Sequence, residues 1–485
     1  MYLLIIVLGL FSLPEAAPDT SVAVQGEKQA QIYINNIESD RNTYSNLWAL
    51  SVLSKSSTAN GKYIAKYLAN SRFNKQIYDH FRDTSLSHHQ LLRRLTFDIG
   101  SPQLLIATLL STDDREDKRK TVSQFENKFS LNSSQEINYR EIVDAITSGD
   151  NINSSLVPVN QEPFIHFILF YEGAGYLKSE FISKFADFWN EVGFKSTSSN
   201  LTHSFLSAAL VRANFILKLH EKNLQLYSQI MEDKLLPNSS YRLNLYRALD
   251  YSIYRLGYYD KSLNISRNFT VPLAAYLGRE DIKLNALKNQ AVSLYNIGKI
   301  EESRDINLRV LQEAEEKNIP INKSSLYNNL GIGYWMSGKF NKYLEWQFKS
   351  LEIAEEENNI SHQLSILKNL YVYYVNIKEN DAALRYLNRA KKISANMNNE
   401  EELAKVFISA GEFQRDVKND FSLALENFEK ADSLLGENAN FTFQKSLLFQ
   451  KAKLYRKHQN YDKALSFFKK IQELHQRTRK SIVAI

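Results

Sequence analysis

The sequence predicts an all-α protein, and three observations support this fold class. Apolar residues make up 44% of the 485 residues, whereas Gly (16) and Pro (8) are too few for a loop-rich or all-β architecture. Apolar side chains recur at helical rather than strand spacing along much of the chain. The C-terminal half also repeats itself with a period of about 40 residues, which is typical of stacked helix pairs.

Composition excludes several classes of function. The chain has 60 basic and 54 acidic residues, so its net charge of +6 gives no strong overall field and nucleic acid is not an expected partner. Cysteine is absent. This excludes thiol catalysis, disulfides, iron–sulfur clusters and cysteine-based zinc sites.

The first residues are typical of a signal peptide. An apolar run covers residues 2–13, which is shorter than the roughly 20 residues that a spanning helix needs. Ser21-Val22-Ala23 has the small-x-small pattern that signal peptidase cleaves, although no basic n-region precedes the run. We therefore expect residues 1–23 to be a signal peptide, the protein to be exported (periplasmic or secreted), and the mature chain to have no transmembrane helix. A buried N-terminal helix is the alternative.

Six copies of the repeat cover residues 243–474. Two segments, residues 294–303 and 334–343, superpose without gaps, and their turn glycines are Gly298 and Gly338. The register reaches back to Gly257 and, if the fifth copy carries one extra residue in its turn, forward to three further turn positions, Lys378, Lys418 and Gln459. A small residue is usual where the second helix opens: Ser262, Ser303, Tyr343, Ala383, Ala424 and Ala464.

Small residues in the first helix of each copy complete the pattern. Ala291, Gly331, Gly411 and Ala452 would let the two helices of a pair approach closely. Residues 329–340 (NLGIGYWMSGKF) and 460–468 (NYDKALSFF) resemble the tetratricopeptide repeat, in its long form of about 40 residues found in bacterial sensory and scaffold proteins. The resemblance implies a right-handed α-solenoid that binds a protein or peptide partner in its concave groove.

The rest of the chain lacks a period. We expect an irregular helical N-terminal region over residues 24–198, a degenerate helix pair over 199–242, and a basic tail over 475–485. The tail ends in Ser-Ile-Val-Ala-Ile, which could be the frayed end of a helix or the first turn of a membrane helix in a longer protein.

Asparagine and lysine columns in the first helices are the candidate binding site. Because an amide both donates and accepts, an asparagine ladder could hold an extended peptide backbone, and the lysines favour an acidic or C-terminal carboxylate group. The alternative is that one of these columns only links adjacent helices. The candidate groove residues are Lys288, Asn289, Asn296, Asn328, Asn329, Trp335, Lys368, Asn369 and Asn376.

Catalytic, cofactor and metal motifs are not expected. Gly331-Ile332-Gly333 lacks the third glycine and the preceding strand of a dinucleotide loop. His88 and His89 point to different faces of a helix, which favours surface histidines over a metal site. No metalloprotease, nucleophile-elbow or phosphate-loop pattern occurs.

We therefore predict a non-enzymatic, exported scaffold without cofactor or metal that binds a protein or peptide. The alternative is the extracytoplasmic sensory part of a signalling protein, such as a histidine kinase or a helix-turn-helix regulator. An enzyme within residues 24–198 is a third possibility, and it would require a polar pocket there.

Overall fold

The structure, a computed structural model, describes residues 20–38, 43–56, 60–62, 64, 86–131, 138–152, 168–170, 177–192, 201–396, 399–435 and 441–483. Within these ranges every regular element is a helix, apart from an isolated bridge between Ile152 and Leu177. The predicted all-α class is confirmed. None of the helices in the described ranges is long and apolar enough to span a membrane. The predicted signal peptide lies almost wholly outside these ranges.

The contacts divide the chain into two compact units, Met1–Gln290 (unit 1) and Ala291–Ile485 (unit 2). Sequence analysis placed the start of the repeat array at residue 243, so its first copy and part of its second belong to unit 1. The helices of the N-terminal region are α1 Thr20–Glu38, α2 Thr43–Ser56, α3 His88–Ile99, α4 Pro102–Leu110, α5 Arg115–Glu126, α6 Tyr139–Ser148 and α7 Ser179–Val192.

Unit 1 has one large hydrophobic core. Trp48 of α2 is fully buried, and its ring packs edge-on against Phe205 at 5.4 Å and Tyr241 at 4.9 Å between centroids. Helix α1 is tied to a distant loop, because buried Gln29 donates to the carbonyls of Lys234 (2.8 Å) and Leu236 (2.7 Å). These bonds join residues more than 200 positions apart.

The remaining helices form successive pairs, each with a first helix (helix A) and a second (helix B). The pairs are α8 Leu201–Ile216 with α9 His220–Gln225 and α10 Tyr227–Glu232; α11 Ser240–Arg255 with α12 Tyr259–Ile265 and α13 Val271–Tyr276; α14 Glu280–Asn296 with α15 Ile300–Glu316; α16 Lys323–Met336 with α17 Phe340–Glu356; α18 Ile360–Asn376 with α19 Asn380–Ala395; α20 Glu400–Phe413 with α21 Phe421–Leu435; and α22 Phe441–Lys457 with α23 Tyr461–Val483.

A left-handed residue closes helix A in every pair. Its φ is positive at Gly257, Gly298, Gly338, Lys378, Asn419 and Gln459, and also at Lys218, which closes α8. At Gly298, for example, the next amide, that of Lys299, donates back to the carbonyl of Leu294 (2.9 Å), which is the bond of a Schellman turn. Helix α8 therefore ends as the helices A of the predicted copies do.

The turn of the fifth copy differs from its prediction. The left-handed residue is Asn419, not Lys418, and the extra residue lies inside helix A, where residues Gln414–Lys418 form a π-helical turn. The amide of Asp420 accordingly donates to Gln414 across six residues instead of five (2.9 Å). A one-residue insertion into a helix is commonly accommodated as such a π-bulge.

Close approach of the helices within a pair explains the small-residue columns. A Cβ added to Gly411 would lie 2.5 Å from Phe428, and one added to Gly331 would lie 2.5 Å from the Gln347 amide nitrogen. The residues that open helix B are all buried, including Tyr343, whose hydroxyl donates to the Asn369 carbonyl (2.8 Å). Unit 2 has several small clusters instead of one core, each built from neighbouring pairs.

Candidate functional site

The helices A of three successive pairs form a cavity of about 420 Å³ in unit 1, which we call groove one. Its walls come from α8, α11 and α14. It is lined by Arg212, Phe215, Ile216, Asn244, Arg247, Ala248, Asp250, Tyr251, Thr270, Ile282, Asn285, Ala286 and Asn289.

Groove one combines exposed apolar side chains with cationic and amide groups. Phe215 and Tyr251 are 37% and 44% exposed, and their rings meet edge to face at 5.5 Å. Among the described residues, exposed Arg247 donates one hydrogen bond, a long one of 3.3 Å to the Asn244 side chain. Such a surface can bury an apolar side chain while its cationic and amide groups bind carboxylates and peptide groups.

A buried carboxyl group lies at the wall of groove one. Asp250 is 6% exposed and accepts a hydrogen bond from the Ser262 hydroxyl at 2.5 Å. Burial raises the pKa of Asp250 to about 6, even though the bond from Ser262 acts in the opposite direction. Asp250 occupies the small-residue column, and its bond to Ser262 links helix A to helix B of the first copy.

A second cavity, groove two, has the same construction in unit 2. It measures about 440 Å³ and lies on the helices A of three successive pairs, α18, α20 and α22, with two residues of α19. It is lined by Ser361, His362, Leu364, Ser365, Leu367, Lys368, Tyr371, Leu387, Ala390, Glu402, Lys405, Val406, Ile408, Ser409, Phe443 and Ser446.

The two lysines of groove two differ in their partners. Lys405 pairs with Glu402 at 2.6 Å and Glu401 at 3.3 Å, and it lies 4.5 Å from the centre of the Phe443 ring. Lys368 is exposed and makes no ion pair within 4 Å in the part of the chain that the structure describes. Lys368 also interacts with the Glu412 carboxyl, whose pKa is raised by burial more than Lys368 lowers it, but it is the less engaged of the two lysines toward an anionic ligand.

The predicted site residues near the boundary have different environments. Asn289 is exposed and lines groove one. Lys288 is half-buried, and burial lowers its pKa. Asn296, in unit 2, is exposed, and its amide donates to the Val292 carbonyl of its own helix at 2.8 Å.

The other predicted residues lie together in the third and fourth copies. The Asn369 amide donates to the Asn328 side chain at 2.8 Å, which joins α18 to α16 and corresponds to the helix-linking alternative. Asn329 is half-buried. Trp335 packs against the ring of buried Tyr343 at 4.8 Å. Asn376 is exposed and donates to the Val372 carbonyl of its own helix (2.9 Å).

Sequence analysis missed several groove residues. Arg247 occupies the same column as Lys288 and Lys368, one and three copies earlier, so extending that column backward would have found it. Phe215 lies in α8, outside the register that the glycine turns define. Tyr251 occupies a column filled by Val292, Ile332 and Val372 in the next copies, so no repeated polar signal marks it.

The two histidines are half-buried, so they are less exposed than the predicted surface histidines would be. His88 packs against the Trp48 ring at 6.4 Å, and burial lowers its pKa to about 4. His89 lies between the Ser111 hydroxyl and the Asp117 carboxylate, at 2.8 Å from each. Asp117 also binds Arg93 at 2.6 Å, and Ser111 donates to the Thr108 carbonyl at 2.7 Å.

This serine–histidine–aspartate series therefore ties α3 to α4 and α5. The Ser111 hydroxyl donates a hydrogen bond to the Thr108 carbonyl, and the Asp117 carboxylate binds Arg93 as well as His89. The arrangement is therefore unlike that of an activated nucleophile. Among the described residues, no group of three or more potential ligands could hold a metal ion.

Comparisons with known proteins give limited similarity. The profile of a family described as soluble NSF attachment protein, SNAP, matches residues 351–481, less than half of the chain. No curated protein sequence matches the chain.

Solved structures of helical proteins do match. A Rap protein complexed with competence and sporulation factor is 14% identical (TM-score 0.48; 80% of this chain and 99% of that chain are covered). A STAND signal transduction ATPase with a tetratricopeptide repeat sensor from Pyrococcus horikoshii is 13% identical (TM-score 0.43; 84% and 62%). Aspartyl phosphate phosphatase F from Bacillus subtilis is 11% identical (TM-score 0.41; 94% and 94%). The tetratricopeptide-type repeat predicted from the sequence is confirmed by the helix pairs and turns themselves.

Proposed function

We propose that this protein is a scaffold that binds an extended peptide or an exposed protein segment in groove one. The main observation in support is that exposed Phe215 and Tyr251 lie in one cavity with exposed Arg247 and Asn289. A pocket lined by apolar side chains with a few convergent polar groups is the usual form of a ligand site.

The chemistry of the groove favours a ligand with an apolar side chain next to a carboxylate. The rings of Phe215 and Tyr251 would bury the apolar side chain, and the guanidinium of Arg247 would bind the carboxylate. The exposed Asn289 amide can both donate to and accept from a peptide group. Groove two, with exposed Lys368, is the second candidate for the same kind of ligand.

Binding is best tested with variants of exposed groove residues. Affinity capture with the full chain would first identify the ligand. Replacing Arg247 with Ala should then weaken binding tenfold or more without lowering the melting temperature, since its side chain is exposed. Tyr251→Ala should weaken binding as much, with a small fall in melting temperature because it also removes the hydrogen bond from Arg255 (3.0 Å) and the ring contact with His220. Arg309→Ala is the matched control, because Arg309 is also exposed but lies on a helix B and does not line the groove. Unchanged affinity in both groove variants would contradict the proposal, and a loss seen only in Lys368→Ala would assign the site to groove two.

Export is a further part of the proposal. Secretion from cells that express the native start, with removal of about 23 residues, would support it, whereas an intact Met1 on a cytoplasmic product would contradict it. We also propose that the chain is not an enzyme, since the predicted function needs only binding. A sensory role is the alternative, and it requires that the ligand change the activity of an attached output domain.

A further inference from the structure

The last helix pair has a high positive charge that is not apparent from the net charge of the whole chain. Residues 441–485 contain 11 Lys and Arg but only two Asp and Glu, whereas the other 440 residues contain 49 basic and 52 acidic residues (60 minus 11, and 54 minus 2). The net charge of +9 in this segment therefore exceeds that of the entire chain. Lys445, Arg456 and Lys469 are exposed members of this group.

The same pair exposes large apolar side chains. Phe449 of α22 is 44% exposed, and Tyr461 and Leu465 of α23 are 65% and 53% exposed. Tyr461 and Leu465 are one turn apart on α23, and the Phe449 ring packs against Phe468 of α23 at 6.2 Å. We call the surface formed by Lys445, Phe449, Arg456, Tyr461, Leu465 and Lys469 the terminal face.

In earlier copies the positions of Tyr461 and Leu465 contact the next helix pair. Phe421 corresponds to Tyr461, and its ring packs against Tyr455 of the following helix A at 5.4 Å and against His458, in the turn that follows that helix, at 5.0 Å. Phe340 packs in the same way against Tyr373, at 6.2 Å, and remains 46% exposed, against 65% for Tyr461.

The leucine position shows the same pattern. Leu344, Leu384 and Leu425 correspond to Leu465, and each is half-buried against a hydrophobic cluster that includes residues of the following pair. The positions of Tyr461 and Leu465 thus contact the following helix pair in earlier copies, and both are exposed in the last copy. The terminal face therefore corresponds to the surface on which a following helix pair packs in the earlier copies.

We propose that the terminal face docks an acidic, amphipathic helix of a partner protein. A helix fits because helices occupy the corresponding positions of the preceding copies. An acidic helix fits because exposed Lys445, Arg456 and Lys469 flank the apolar side chains, and complementary charge accelerates and orients docking. A second copy of the same face would bring two segments of net charge +9 together, so self-association is disfavoured. This surface is separate from groove one and does not depend on it.

The test uses the full chain and a designed helical peptide with Leu on one face and Glu on the other. Fluorescence anisotropy should show binding that weakens with salt and that is lost when the Glu residues are replaced by Gln. Leu465→Asp should reduce affinity at least tenfold. Leu423→Asp is the matched control, since Leu423 is 43% exposed on α21, outside the terminal face.

Further variants separate this proposal from the others. Lys469→Glu should weaken binding and its salt dependence, whereas Tyr251→Ala in groove one should leave it unchanged. Equal affinity of the peptide for the wild type and for Leu465→Asp would overturn the proposal, as would no binding to the wild type. Binding confined to phosphatidylserine vesicles or to an oligonucleotide, both measured in parallel, would also overturn it.

Discussion

The two units of this protein achieve a helical fold by different kinds of contact. In unit 1, Gln29 of α1 binds the loop between α10 and α11, and the Tyr276 hydroxyl donates to the Asn60 side chain at 2.7 Å, so both contacts span more than 200 residues. In unit 2, hydrogen bonds between helices join neighbouring pairs, as between Asn369 and Asn328. Unit 1 therefore depends on closing long loops, whereas unit 2 is built from short-range contacts.

The difference explains where sequence analysis succeeded. A surface that is repeated every 40 residues leaves a period in the sequence, because each copy must fit its neighbours. A contact that occurs once, such as that of Gln29 with residues 234–238, leaves no comparable signal. Each of the following predictions alters one kind of contact and leaves the other intact.

The largest effect is expected for Gln29→Ala. The buried amide donates to two carbonyls and accepts from the Asn238 amide at 3.1 Å, so its loss leaves several buried groups without partners. We expect unit 1 to lose about 3 kcal/mol of stability. Hydrogen exchange should show faster opening in unit 1 and unchanged protection in α16 to α23. An equal loss of stability in both units would mean that they unfold together, which would contradict the difference proposed between them.

Asp250→Asn should raise stability by about 2 to 3 kcal/mol at pH 8. The pKa of Asp250 is about 6 in the folded protein, against an ordinary value of 3.8, so the native state binds this proton more tightly than the unfolded chain does. The contribution of protonated Asp250 is thus fully present below pH 4 and is lost as the pH rises through 6.

The pH dependence supplies the control for this variant. The stability gain should disappear at pH 4, where the wild-type carboxyl group is protonated. His88 acts in the opposite direction, because its lowered pKa costs stability as the pH falls from about 6.5 to about 4, and this effect should persist in the variant. A gain that is independent of pH, in urea denaturation at both values, would contradict the assignment.

Gly411→Ala tests the local contacts of unit 2. The added methyl would meet the buried ring of Phe428 at 2.5 Å, so we expect a loss of about 1 to 3 kcal/mol that is confined to the fifth copy and its neighbours. Gly333→Ala is the matched control in another helix A. Its methyl would lie 3.7 Å from Arg304, so the better helix propensity of Ala should stabilise by up to about 1 kcal/mol. Thermal melts that gave both variants the same sign would contradict the packing described here.

The smallest effect is expected for the asparagine column. Asn369→Ala removes the bond to Asn328 and should lower stability by about 1 kcal/mol. Asn289→Ala should change it by less than about 0.5 kcal/mol, since Asn289 is exposed, and should weaken ligand binding instead. A melting curve and a binding titration of both variants would separate linking from ligand-binding asparagines. A lower melting temperature for Asn289→Ala would oppose its assignment to groove one.

The sequence predicted the repeat register well, but it identified only some of the residues that line the two grooves. Five of the six predicted turn residues have positive φ, including Lys378 and Gln459, because the surrounding columns fixed their positions. The left-handed turn at Lys218 was not predicted, because its helix pair has no turn glycine and no clear column of repeated residues. Asn289 and Lys368 line the two cavities, and their ligand-binding role stays a prediction, whereas the aromatic residues of groove one follow no period. The net charge of the whole chain also gave no sign of the basic last helix pair.

The π-helical turn at residues Gln414–Lys418 has a consequence for the register of the array. A residue inserted into a repeat would ordinarily rotate every later side chain by about 100°, to another face of the helix. Here the added residue is absorbed within one turn, so Asn419 and all later columns remain in phase. Copies of unequal length can therefore stack in the same register. A conserved backbone turn, rather than a conserved residue count, is what defines a repeat in this protein.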